Sequence, residues 1–137
     1  MSTLLIERAH CLATQDDAGQ ELKDASVWVR DGRIEAVLPD GTDLGPYREQ
    51  ADERIDASRH VVVPGLINTH HHMVQSLTRA VPGGQNAELF TWLQSLYPIW
   101  AGLTPDMVTT SHQVAMAELL LSGCTTSSDH HYIYPNG

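Results

Sequence analysis

The stretch Val61-Val62-Val63-Pro64-Gly65-Leu66-Ile67-Asn68-Thr69-His70-His71-His72 decides the fold. An apolar run rich in β-branched residues leads into three consecutive histidines. In a strand, side chains i and i+2 share a face. His70 and His72 therefore point the same way at the C-terminal end of what reads as one buried strand. Two neutral imidazoles aimed at one point make half of a divalent metal site. A surface polyhistidine run and a pair that bonds only backbone are the plainer alternatives. The setting after Val61–Val63 and Pro64-Gly65 favours ligation. His71 falls on the opposite face and is not assigned to the metal.

Upstream of this run the chain reads as a small β-rich unit over residues 1–60. Residues 3–14 read as a strand, with Leu4 and Ile6 alternating against Leu5 and Glu7. Residues 26–38 read as a hairpin, because Asp31-Gly32 between two β-rich arms is a type I′ turn signal that needs positive φ at both positions. Residues 39–53, with Gly41, Gly45 and Pro46, read as a loop or a short irregular helix. Ile55–Ser58 reads as a further short strand.

Downstream, Met73–Arg79 reads as a helical turn and residues 81–85 as a loop. Leu89, Leu93, Leu96, Tyr97 and Trp100 recur at helical spacing, so residues 87–101 read as an amphipathic helix that Pro98 kinks or interrupts. The next helix, Met107–Leu121, has Thr104 as N-cap, Pro105 at the first helical position, Asp106 at the positive end of the dipole and Gly123 as its stop. It is expected to bury Val108, Val114, Ala115 and Leu119. Cys124–Asp129 reads as another buried strand ending at His130-His131. Strand, helix, helix, strand implies a parallel pair with a right-handed crossover. Both polar clusters lie at C-terminal strand ends, the edge where parallel α/β folds bind ligands.

Composition narrows the function class. A chain of 137 residues with 42% hydrophobic and 18% charged residues is globular rather than disordered. The net charge of -9 argues against nucleic acid and anionic membrane as partners. Five of the eight histidines fall in the runs 70–72 and 130–131. His10, His60 and His112 read as core or solvated positions. Cys11 and Cys124 are far apart and read as reduced thiols. No segment approaches the ~20 apolar residues of a membrane span, and no secretory leader is visible, so a cytoplasmic protein is expected.

Other residues near the histidines carry two readings each. Gln75 either turns its amide toward a heterocycle or faces solvent. Arg79 either pairs with a substrate carbonyl or is solvated. Trp92 lies off the main apolar stripe and either packs the helix or closes over a planar ligand. His130 and His131 either orient a substrate or a bound water, or play a supporting structural role. The chain carries no Ser-His-Asp set, phosphate loop, internal repeat or dinucleotide fingerprint.

The run Pro64–Gln75 resembles the first-strand signature of the amidohydrolase superfamily, and the Asp31–Ile34 hairpin is similar to that superfamily's N-terminal sandwich strands. Gln75, Leu77-Thr78-Arg79, Leu89–Leu93, Tyr97-Pro98 and Ser122–Thr126 resemble the triazine hydrolase and aminopurine deaminase branch. Ser127–Tyr132 is most similar to 8-oxoguanine deaminases. The resemblance implies an α/β fold: N-terminal β-sandwich strands over 1–60, then the first βα units of a metal-dependent TIM-barrel hydrolase over 61–137. It makes His70 and His72 the first two ligands of one Zn²⁺, with Fe²⁺ as the other candidate. Beside these ligands, Gln75, Trp92, Arg79 and His131 are the expected contacts to a small heterocyclic substrate, and homo-oligomerisation of the full-length enzyme is left open.

The implied reaction is hydrolytic deamination of a purine-like ring, 8-oxoguanine first. A TIM barrel takes ~250 residues, so the chain is expected to be the N-terminal part of a longer enzyme, to bind metal weakly alone and to turn over nothing. The alternatives are a triazine chloro- or aminohydrolase, a small metal-binding module completed by His130 and His131, and a non-catalytic interaction fragment.

Overall fold

Arg8 has φ of 52°, in the left-handed region that L-residues seldom occupy, and it ends the first strand. The segment 3–14 is thus two strands, β1 (Thr3–Glu7) and β2 (Cys11–Ala13), which enter different sheets. The structure, a computed structural model, describes residues 2–135. It divides into two compact units, Met1–Pro64 and Gly65–Gly137.

In the first unit, β3 (Glu21–Leu22) is followed by the hairpin of β4 (Ser26–Arg30) and β5 (Arg33–Leu38). Asp31 and Gly32 have φ of 49° and 74°, the two positive values that a type I′ turn requires. The short helix α1 (Gly45–Gln50) precedes β6 (Glu53–Asp56) and β7 (Val61–Val62). One sheet runs in the order β5-β4-β1-β6, with β6 parallel to β1, and the other in the order β3-β2-β7, with β7 parallel to β2.

Two apolar clusters hold this unit. Leu12, Leu22 and Val62 from one sheet meet Ile6, Val27 and Val29 from the other. Leu5, Trp28 and Leu38 pack on the opposite face against Leu44, which precedes α1, and Tyr47 within it. A fully buried large side chain such as Leu5 is worth about 1.5–3 kcal/mol, and the partly buried ones less. Glu7 is buried at 4% exposure. Its carboxylate accepts from Arg48 Nε at 2.8 Å and Nη2 at 2.6 Å and from Arg54 Nε at 2.6 Å. Burial pushes its pKa up, but the two guanidiniums outweigh that and hold it below the ordinary glutamate value.

The run from Val61 to Thr69 is not one buried strand. It breaks at Pro64-Gly65: β7 pairs in the first unit, and β8 (Leu66–Asn68) in the second. Nor is it buried, since Val61, Leu66 and Ile67 are 63%, 56% and 69% exposed. A parallel strand buries both faces only when neighbours and helices cover it. Among the described residues β8 pairs with β9 (Cys124–Ser127) alone. The pairing is parallel, as expected, and no closed barrel forms among the described residues.

Between β8 and β9 lie a 3₁₀ segment (Met73–Thr78), α2 (Leu89–Trp100) and α3 (Pro105–Leu121). Pro98 sits inside α2 without interrupting it, in the last turn, where only one hydrogen bond is forfeited. Thr104 caps α3 by accepting from the Met107 N–H at 3.3 Å, and Gly123 stops it with φ of 84°. Inside α3 the buried residues are Ser111 and Ala115 rather than Val114, which is 47% exposed. The helix lies against the 3₁₀ segment, and Trp100 Nε1 donates to Thr78 Oγ1 at 3.1 Å in the interior. A Cβ on Gly65 would collide with the Thr125 side chain, so glycine is required for β8 and β9 to approach.

Candidate metal centre and its cleft

The two strand exits are laced together by backbone. Ser128 N donates to Asn68 O at 3.0 Å, Ser128 Oγ to Thr69 O at 2.7 Å, and His130 N to His71 O at 2.7 Å. His70 N donates to Asn68 Oδ1 at 3.0 Å. These bonds tie residues 68–71 to the segment leaving β9, and His70 and His72 still share one side after the ladder ends.

The result is a convergent pair: the Nε2 atoms of His70 and His72 lie 3.1 Å apart. His72 Nδ1 is 2.8 Å from the His130 carbonyl oxygen. A carbonyl only accepts, so Nδ1 carries the proton and Nε2 of a neutral ring presents a lone pair. His130 stacks its ring on His70, with centroids 4.4 Å apart and planes 10° from parallel. The donor set fits a divalent ion. Ligands about 2.0–2.1 Å from a tetrahedral zinc are necessarily ~3.3 Å from each other, close to the observed separation. Among the described residues no third His, Cys, Asp or Glu atom closes on this pair. His130 directs Nε2 at the Thr69 carbonyl, 3.3 Å away, so the small site completed by His130 and His131 is not built.

A cleft of about 390 Å³ opens beside the pair. Gln75, Arg79 and Trp92 all border it, with Ser76, Thr78 and Leu96. Gln75 Nε2 donates to the Tyr132 hydroxyl at 2.8 Å. Arg79 is neither free nor simply solvated: it forms a two-pronged pair with Glu118, at 3.0 and 2.6 Å. The bond and charge of Glu118 raise the Arg79 pKa, and Arg79 lowers that of Glu118. Trp92 meets Trp100 edge to face, with centroids 5.3 Å apart. His71, expected on the far side, also borders the cleft, with Nδ1 buried and without a hydrogen-bond partner.

His131 does not line this cleft. Its ring faces His112 and Tyr134, and its Nδ1 is 3.8 Å from Asp129 Oδ2. Asp129 is a residue the sequence reading passes over. Its Oδ1 accepts from Met73 N at 2.9 Å, directly after the His72 ligand position, and its Oδ2 is 2.8 Å from His112 Nε2. Burial pushes the Asp129 carboxyl up, but the Met73 N–H and the neighbouring His112 and His131 imidazoles outweigh it and hold the pKa low. The signal was available: Asp129 and His131 stand in the same i, i+2 relation after β9 as His70 and His72 after β8.

The model of the amidohydrolase family matches residues 61–136. The chain is 55% identical over 109 residues to an 8-oxoguanine deaminase of Pseudomonas aeruginosa, covering 80% of this chain and 24% of that protein. It is 38% identical over 140 residues to a hydroxydechloroatrazine ethylaminohydrolase of a Pseudomonas species, covering 98% and 29%. The crystal structure of an atrazine chlorohydrolase from Arthrobacter aurescens, complexed with zinc, superposes with a TM-score of 0.82 at 30% identity, covering 92% of this chain and 28% of that one. The chain thus spans under a third of the length of these relatives. Because the family match covers more than half of the residues and takes in both histidine runs, the chain belongs to the amidohydrolase family.

Proposed function

We propose that this chain supplies the metal-anchoring segment and one wall of the substrate cleft of a hydrolytic deaminase acting on an aminated purine-like heterocycle, 8-oxoguanine first. The observation that carries the reading is the 3.1 Å convergence of His70 Nε2 and His72 Nε2, with His72 fixed through Nδ1. The 55% identity to an 8-oxoguanine deaminase supports the substrate. Residues 1–60 are read as part of a composite β-sandwich and 61–137 as the opening of a (β/α)8 barrel.

His70 and His72 would hold the ion, Zn²⁺ before Fe²⁺. Bound there, it supplies Lewis acidity that makes water a competent nucleophile near neutral pH. The chain's own residues do the positioning. The Gln75 carbonyl accepts from a ring N–H, because Tyr132 fixes the opposite end of the amide. Trp92 offers an aromatic wall to a planar ring. Arg79, neutralised by Glu118, borders the site without adding net charge. Among the described residues the cleft lining has no carboxylic acid to protonate departing ammonia. With two ligands and no acid in the cleft among the described residues, residues 1–137 alone are expected to turn over nothing.

A chimera tests the reading: this chain replaces the matching segment of the 8-oxoguanine deaminase relative. The zinc-loaded chimera is expected to release ammonia from 8-oxoguanine, and His70→Ala or His72→Ala to abolish it. A folded, zinc-loaded chimera that instead releases an alkylamine or chloride from a triazine would replace this substrate with the triazine reading.

A further inference from the structure

His112, Asp129 and His131 form a second cluster that shares no residue with the His70–His72 pair. Their nearest ligand atoms, one from each residue, all lie within 4.8 Å of one another. His112 comes from the middle of α3, and Asp129 and His131 from the segment leaving β9. Asp129 and His131, two residues apart, turn toward the same side, with His131 Nδ1 3.8 Å from Asp129 Oδ2.

Two observations within the cluster go together. His112 Nδ1 is 2.7 Å from the Val108 carbonyl oxygen, so that nitrogen donates, and the Nε2 of a neutral ring holds a lone pair. This lone pair faces the Asp129 carboxylate at 2.8 Å. Two acceptors at that distance need a positive species between them. A proton on His112 would serve, but it leaves the second observation unexplained. His131 Nδ1 is buried, has no hydrogen-bond partner and sits 3.8 Å from the same carboxylate oxygen. Buried polar atoms in native folds are normally satisfied. One cation would satisfy both. The orientation of His112 by a backbone carbonyl through its other nitrogen is the usual support for a metal-bound imidazole.

We propose that His112 Nε2, an Asp129 oxygen and His131 Nδ1 bind a divalent transition ion of the zinc type. Two imidazoles and one carboxylate suit zinc, cobalt or nickel better than calcium or magnesium, which prefer all-oxygen shells. The ion would tie α3 to the end of β9. Through Asp129 Oδ1 and the Met73 N–H it would also steady the backbone that follows His72. The site is independent of the proposed deaminase function, because none of its three residues belongs to the His70–His72 pair.

The test uses the whole chain carrying His70→Ala and His72→Ala, titrated with Co²⁺ alone and followed by visible d–d absorption. One cobalt equivalent is expected to bind, and adding His131→Ala should weaken it at least about tenfold with an unchanged far-UV spectrum. Absence of cobalt bands, or binding indifferent to His131→Ala, would overturn the site. Should the double variant not fold, the unmodified chain labelled with ¹⁵N-histidine is titrated with Zn²⁺. A shift at His131 Nδ1 supports the site, and a silent His131 ring overturns it.

Discussion

Replacing Gly65 by alanine should cost about 1–3 kcal/mol and should do so through one named neighbour. Gly65 precedes β8, and a Cβ there would overlap the Thr125 hydroxyl and methyl and would lie 2.8 Å from Thr125 Cβ. Rotating the Thr125 side chain relieves the first two contacts but not the third, so β8 must move off β9. Overpacking of this kind typically costs ~1–3 kcal/mol. Thr125→Ala keeps the Cβ and should rescue only in part. Thr125→Gly removes all three atoms and should rescue fully, apart from the ~0.5–1 kcal/mol that glycine itself costs a strand. Urea unfolding followed by indole fluorescence in a Trp28→Phe background reports the second unit through Trp92 and Trp100. With a urea slope of ~1–3 kcal/mol/M, Gly65→Ala should lower the midpoint by roughly 1 M. A cost unchanged within ~0.5 kcal/mol in the Thr125→Gly background would refute the steric argument.

Glu7→Gln should destabilise the first unit by about 1–3 kcal/mol at neutral pH, at the low end of a broken buried pair because both arginines are partly solvated. The folded pKa of Glu7 lies below its ordinary value of 4.5. Its stabilisation is therefore present above that pH and lost as pH falls through the folded pKa. The difference in Tm between wild type and Glu7→Gln should shrink in acid, as calorimetry at stepped pH will show. Thr104→Ala should cost ~1 kcal/mol of second-unit stability, since the cap bond at 3.3 Å is long. Tyr132→Phe in the deaminase chimera should raise KM for 8-oxoguanine several-fold with little change in kcat, because it frees the Gln75 amide without touching the metal pair.

What could be read from the residues was what short-range chemistry dictates. Asp31-Gly32 needs positive φ twice and adopts it, and Thr104-Pro105 starts a helix where a cap and a proline belong. The i, i+2 rule put His70 and His72 on one side. The misreadings share a cause. Val61–Thr69 looks continuous because β-branched runs do not show which neighbour each half will pair with, and Pro64-Gly65 divides it between two sheets. His112 looked solitary because its partners are 17 and 19 residues away and meet it only once β9 lies beside β8. Arg79 found Glu118 across 39 residues, a pairing no local pattern encodes.

The most direct measurement is a Zn²⁺ titration of the ¹⁵N-histidine-labelled chain at millimolar zinc, read at the individual ring nitrogens. Nε2 of His70 and Nε2 of His72 should shift together while His72 Nδ1 keeps its proton and its bond to the His130 carbonyl. Zinc that shifts neither Nε2, or that binds through His72 Nδ1, would contradict the metal-anchoring role of this pair.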